Sequence, residues 1–275
     1  MTRWRSYTDT RDAHTVTGTL LICDTVHSPQ LDNNRHILVW LPPSYYQSDK
    51  RYPVLYMQDG DNLFDDHSSY AGEWHVDETL TQLAADDIEA IVVGIPNMGS
   101  QRFTEYNPFV GRRPGKGITY LHFIIETLKP LIDRDFRTLP DAPDTGLVGS
   151  SMGGLISLYG FLKYPLVFGL CGALSPVFWI QGDVLLQTLM ERPLPEYGRV
   201  YLDIGTQEGG GYGRAKSKRG NDMNAAYVRG VRRLRDGFHH RDYAEKTHYV
   251  EDEGAMHNEA AWSKRLPAAL RFLLK

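Results

Sequence analysis

The chain has 275 residues, 41% of them hydrophobic and 23% charged, with a formal charge of −4. That balance suits one soluble α/β domain, excludes a disordered or fibrous chain, and weighs against nucleic acid as the main partner, which needs a net basic surface. No apolar run approaches the ~20 residues of a membrane span, so no membrane partner is expected.

Met1–Ser6 lacks the apolar stretch of a secretory signal. Cys23 and Cys171 lie far apart, each inside an apolar run, and read as buried small hydrophobes rather than a disulfide or metal pair. The expected compartment is a reducing cytoplasm.

In chain order, Thr15–Cys23 and His36–Leu41 read as two strands, the second ended by Pro42-Pro43, with the polar stretch Ser28–Asn34 turning between them as an antiparallel pair. Tyr52–Gln58 is the next strand and runs into Asp59-Gly60-Asp61-Asn62. A calcium loop counted from Asp59 would need Gly at Phe64 and Glu at Tyr70, and fails at both. Val76–Ala85 has helical spacing, and Ile88–Gly94 is a compact apolar strand. Residues 97–117 show no periodicity. Loops of that length in a compact domain usually serve function, so this one is expected over the mouth of a site, as is 206–222. Gly111–Gly117 lacks both the glycine spacing and the Ser/Thr of a phosphate loop. Ile118, Leu121, Ile125, Leu128 and Ile132 form the stripe of an amphipathic helix, with Pro130 expected to kink its last turn.

The chain is organised around Thr145–Ile156. An apolar strand enters the turn Gly149-Ser150-Ser151-Met152-Gly153, and a helix leaves it until Pro165. This is the G-x-S-x-G pattern of a nucleophile elbow, where a serine sits on strained backbone with its hydroxyl projecting above the sheet. The flanking glycines are expected where chain segments pass too close for a Cβ. In such a plan the residue after the serine and the loop after the third strand each give one backbone N–H to an oxyanion hole, here Met152 and Asp61, with Gly60 letting the backbone approach.

Leu166–Leu174 ends in another buried strand, and Arg199–Ile204 in a further one, followed by Gly205-Thr206-Gln207-Glu208. Glu208 stands where a triad acid belongs; Asp203, inside the strand, and Asp222 are its rivals. The basic stretch Arg214, Lys216, Lys218 and Arg219, with Arg229, Arg232 and Arg233 beyond it, reads as a solvated face. Thr247–Glu251 is the last strand, and His257 precedes a helix from Asn258 to Leu274. The order Ser151, Glu208, His257 is that of the α/β-hydrolases. His239, His240 and His248 lack a metal-site pattern. Trp74, Tyr106, Phe109 and Trp179, near the expected mouth, weakly favour an aryl or compact acyl group in the substrate.

These residues resemble the Putative esterase branch of the α/β-hydrolases, which includes S-formylglutathione hydrolases, feruloyl esterases, enterochelin-type esterases and mycolyltransferases. The similarity is carried by Pro42-Pro43-Ser44-Tyr45, Tyr52–Tyr56 with Asp59-Gly60, Gly149–Gly154, Gly205–Glu208, and Gly254–His257 with Trp262, Arg265, Leu266 and Phe272. The resemblance implies an eight-stranded, mostly parallel sheet with helices on both faces, and a serine esterase that needs no cofactor and acts on a small-molecule ester. An acyltransferase with the same serine, and a non-catalytic binding protein on the same scaffold, are the alternatives.

Overall fold

The structure, a computed structural model, describes residues 4–109, 114–178, 180–209 and 218–275, with the side chains of 218–221 excepted. Among these residues nine strands, β1 (Arg5–Ser6), β2 (Thr19–Ser28), β3 (Asn33–Leu41), β4 (Val54–Gln58), β5 (Ile91–Ile95), β6 (Thr145–Ser150), β7 (Leu170–Leu174), β8 (Arg199–Gln207) and β9 (Thr247–Met256), make one sheet. Their order is β1-β2-β3-β5-β4-β6-β7-β8-β9. Pairing is antiparallel from β1 to β5 and parallel from β5 through β4 to β9. The sheet thus has one strand more than the resemblance implies. The extra one is the two-residue β1, too short to leave a sequence pattern.

Every residue of β4, β5, β6 and β7 is buried, as parallel strands covered on both faces require. Alternate residues feed two cores. Ile37, Val39, Tyr56, Val93, Leu147 and Ala173 face one layer, and Leu38, Trp40, Met57, Val92, Val148 and Leu174 face the other.

The helices are α1 (Val76–Leu83), α2 (Arg102–Glu105), α3 (Gly117–His122), α4 (Lys129–Asp135), α5 (Met152–Lys163), α6 (Gly182–Glu191), α7 (Lys218–His240) and α8 (Glu259–Leu274). The second core takes its helical side chains from α1 and α8, among them Val76, Leu80, Trp262 and Leu266. The first takes Tyr120, Leu155, Leu185 and Val231 from α3, α5, α6 and α7. Among the described residues no helix is long and apolar enough to cross a membrane.

One departure from the expected elements has a local cause. The stripe from Ile118 to Ile132 is not one α-helix, because a π-helical segment, Phe123–Leu128, joins α3 to α4. Pro130 follows it and has no N–H for the ladder, so the wider turn comes just before the break. Tyr120, Leu121, Ile124 and Leu128 are buried, whereas Ile118, in α3 ahead of the π-helical segment, is exposed. Cys23 and Cys171 are free and buried, and burial pushes the Cys171 thiol pKa up.

Candidate active site

Strand β6 delivers the chain to Ser151 at φ 55, ψ −119, a conformation L-residues rarely hold, and α5 begins at Met152. The bend is fixed on both sides. Ser151 N–H donates to Leu174 O at 2.9 Å, and Ser151 O accepts from Val177 N–H at 3.1 Å and Leu155 N–H at 3.0 Å. The two glycines serve different contacts. A Cβ on Gly149 would stand 2.7 Å from the Gly153 carbonyl carbon, an impossible approach, whereas one on Gly153 would meet Gln58 Cβ at 3.0 Å. Only the first is a collision between the two flanks of the turn.

His257 comes to this serine from the far edge of the sheet, at the junction of β9 and α8. Its Nε2 lies 2.8 Å from Ser151 Oγ, and its Nδ1 meets Glu208 Oε2 in a close contact. The imidazole is nearly enclosed. Trp262 meets it edge-on, with ring centroids 5.0 Å apart, and Tyr227 lies at 5.4 Å. Asn258 begins α8 as its N-cap, its side chain accepting from Ala261 N–H.

Glu208 follows the last residue of β8 and is 1% exposed. Its Oε1 accepts from Ser175 Oγ at 2.7 Å and from Gly205 N–H at 2.6 Å. Asp203, the rival acid, faces another partner: Arg265 Nε donates to its Oδ2 at 2.8 Å and Nη2 to its Oδ1 at 3.2 Å. Burial raises the Asp203 pKa to about 6 against the opposing pull of Arg265. Asp222 is exposed on α7. The acid, the histidine and the serine expected from the sequence therefore form one hydrogen-bonded line. Ser175 and Arg265, which sequence reasoning gave no role, stand directly behind it.

The loop after β4 is held from several sides. Asp59, at φ 56, accepts from Arg102 Nε and Nη2 at 2.7 and 2.8 Å and from Asn97 Nδ2 at 2.8 Å. A Cβ on Gly60 would come within 2.6–2.8 Å of the Gly94, Ile95 and Pro96 backbone, so only glycine lets this loop settle on the end of β5. The turn is closed by the Asn62 and Leu63 amides, which donate to Asp59 O and Gly60 O. The Asp61 amide takes no part in that closure. Its carboxylate lies 2.7 Å from His36 Nε2.

The expected aromatic walls sit elsewhere. Trp74 is 4% exposed and packs 6.0 Å from Trp262, behind the ring that touches His257. Tyr106 is fully buried, and its hydroxyl accepts from Asp59 N–H at 3.1 Å. Phe109 packs edge-on to Tyr159. Trp74 and Tyr106 prop the site from behind, and Phe109 lies in the core, because an aromatic ring this close to the core gains more from full burial than from a wet mouth. Trp179, Arg214 and Lys216 lie outside the described residues, as do the side chains of Lys218 and Arg219. His248 stacks on Tyr201 with centroids 5.6 Å apart. Among the described residues the group of possible metal ligands is Glu73, His75 and Glu78, which includes none of the three histidines considered from the sequence.

A family model described as Putative esterase matches residues 28–273. The uncharacterized protein YbbA of Bacillus subtilis (strain 168) is 30% identical over 185 residues, which is 64% of this chain and 70% of that protein. The BES protein from Bacillus cereus superposes with a TM-score of 0.74 at 20% identity, over 96% of this chain and 98% of its own. The enterobactin esterase FES from Shigella flexneri gives 0.68 at 20% identity, over 96% of this chain but only 61% of its own, so this chain spans about three fifths of that protein. At such identities the structural matches speak for the fold, which is of the α/β-hydrolase type.

Proposed function

This chain belongs to the Putative esterase family, and from that premise we propose that it is a serine esterase that hydrolyses a carboxylic ester through an acyl-enzyme. The observation that carries the reading is the line from Ser151 Oγ through His257 to Glu208, built on a strained elbow.

His257 Nε2 takes the Ser151 proton as Oγ attacks the ester carbonyl. Glu208 holds the tautomer with the proton on Nδ1 and stabilises the imidazolium that forms. The Met152 and Asp61 amides receive the oxyanion, each worth roughly 3 kcal/mol in the transition state. His257 then gives its proton to the leaving alcohol, which departs as the serine ester forms. Water, deprotonated by His257, attacks that ester, and the acid leaves with Ser151 restored.

The surroundings favour a compact ester with polar groups over a long acyl chain. Arg102 and Asp59 border the oxyanion loop, and the Glu259 carboxylate feels Asp59, His257 and Arg102 together, its pKa raised first by burial. The enterobactin esterase among the neighbours is consistent with an aromatic acyl group as one candidate. With Trp74 and Tyr106 in the core, that candidate rests on the neighbour and not on a wall of rings.

A panel of p-nitrophenyl esters graded by chain length, beside feruloyl and catecholate esters, tests the reading. The expected outcome is a preference for short or aryl acyl groups, with Ser151→Ala lowering kcat by at least ~10⁴-fold. A loss below tenfold on the best ester would overturn it. Addition of a sugar or alcohol acceptor to the same assay is expected to leave free acid as the main product.

A further inference from the structure

Resting on the hydrolase reading above, we propose that Ser175 is a positioning residue: its hydroxyl proton is committed to Glu208, and Arg265 and Trp262 enforce that commitment. A serine hydroxyl has one proton to give and two lone pairs to receive with. Three side chains surround Ser175 Oγ. Arg265 Nη2 stands at 3.1 Å, Trp262 Nε1 at 3.1 Å and Glu208 Oε1 at 2.7 Å.

Guanidinium and indole N–H groups can only donate, so these two occupy both lone pairs. The carboxylate oxygen is then the one acceptor left for the proton. Ser175 is fully buried, so bulk water does not compete.

Each member of the arrangement is itself fixed. Ser175 N–H donates to Asp203 Oδ1 at 2.9 Å and Asp203 O at 3.1 Å, with its backbone at φ 43. Arg265 is aimed by its two-point grip on Asp203 and by Asp252 Oδ2 at 3.3 Å. Glu208 Oε1 receives a second donor, Gly205 N–H. With two donors on Oε1 the carboxylate cannot rotate, and Oε2 is left facing His257 Nδ1. Both Trp262 and Arg265 stand on α8, the helix that His257 and its cap introduce, so one element sets the histidine and the proton direction behind its acid.

The test uses Ser175→Gly, which removes the hydroxyl while glycine is at ease at positive φ. Rates are normalised to the folded enzyme by the burst of p-nitrophenol per active site. The expected result is a fall in kcat of about 10- to 100-fold with KM nearly unchanged. The acid limb of the kcat/KM profile should move to higher pH, because a carboxylate that has lost a donor holds the imidazolium proton more tightly. In a Glu208→Ala background the same change should alter kcat by less than about twofold, since Ser175 acts through Glu208. A merely structural serine would cost as much in both backgrounds and leave the acid limb in place, and either observation overturns the proposal. If Ser151→Ala retains activity, the hydrolase reading itself falls. If Ser151→Ala is inactive and Ser175→Gly matches the parent, only the role of Ser175 falls.

Discussion

His257 Nε2 reaches Ser151 Oγ at 2.8 Å across 106 residues of sequence, and the next residue, Asn258, fastens it there by capping α8 with a 3.0 Å acceptance from Ala261 N–H. Asn258→Ala removes the cap, which costs about 1 kcal/mol, or about 2–4 °C in Tm for a domain near this size. Because the frayed turn carries the histidine, kcat should also fall by roughly threefold or more. Asn258→Asp keeps an acceptor at a helix N-terminus and should preserve both values. Thermal melts and kcat on one short-chain ester check this.

Glu208→Gln tests the direction of the line. Ser175 and Gly205 both donate to the Oε1 position, so the amide would turn its oxygen toward them and its NH₂ toward His257 Nδ1. The imidazole is then held in the tautomer that carries its proton on Nε2 and cannot accept from Ser151. A loss in kcat of about 10⁴-fold is expected, with folding stability little changed. A loss no greater than tenfold would mean that Glu208 does not set the tautomer.

The parts of the site legible in the sequence are those whose backbone demands particular residues. Gly149 and Ser151 mark a bend that few sequences can make, and the spacing to Glu208 and His257 follows the order of the strands. Burial was not legible in the same way. Trp74 and Tyr106 read alike as pocket walls or core, and only the packing of α8 and of Asp59 on them decides for the core. Ser175 was invisible because its role exists only where the end of β7, the turn after β8 and α8 meet. Trp262 and Arg265 were visible as matching residues without a reason, and their shared contact with Ser175 Oγ supplies one.

Arg265→Met leaves Asp203 as a fully buried acid without its cation. Breaking a buried pair from one side costs about 3–5 kcal/mol, so urea midpoints should drop markedly. The double change Arg265→Met/Asp203→Leu removes both charges and should recover most of that loss. If the double variant is no more stable than the single one, the pair is not what Arg265 contributes.

Asp77 gives the fold a pH dependence of its own. It is fully buried, its Oδ2 accepts from Thr17 N–H at 2.6 Å, and burial, with Glu78 beside it, raises its pKa from 3.8 to about 8. A folded pKa above the unfolded one means that the folded chain binds this proton more strongly. Its stabilising contribution is therefore complete below pH 3.8 and is lost as the pH climbs toward 8. Asp77→Asn keeps an acceptor for Thr17 without titrating. Its Tm relative to the parent should rise steadily between pH 4 and 8, and a difference constant over that range would contradict the assignment.

The most direct measurement of the central claim is labelling of the folded chain with a fluorophosphonate, read by peptide mass spectrometry. The account predicts one adduct, on Ser151, absent in Ser151→Ala and strongly slowed in His257→Ala. A folded chain that leaves Ser151 unmodified, or one labelled equally well after Ser151→Ala, would contradict it.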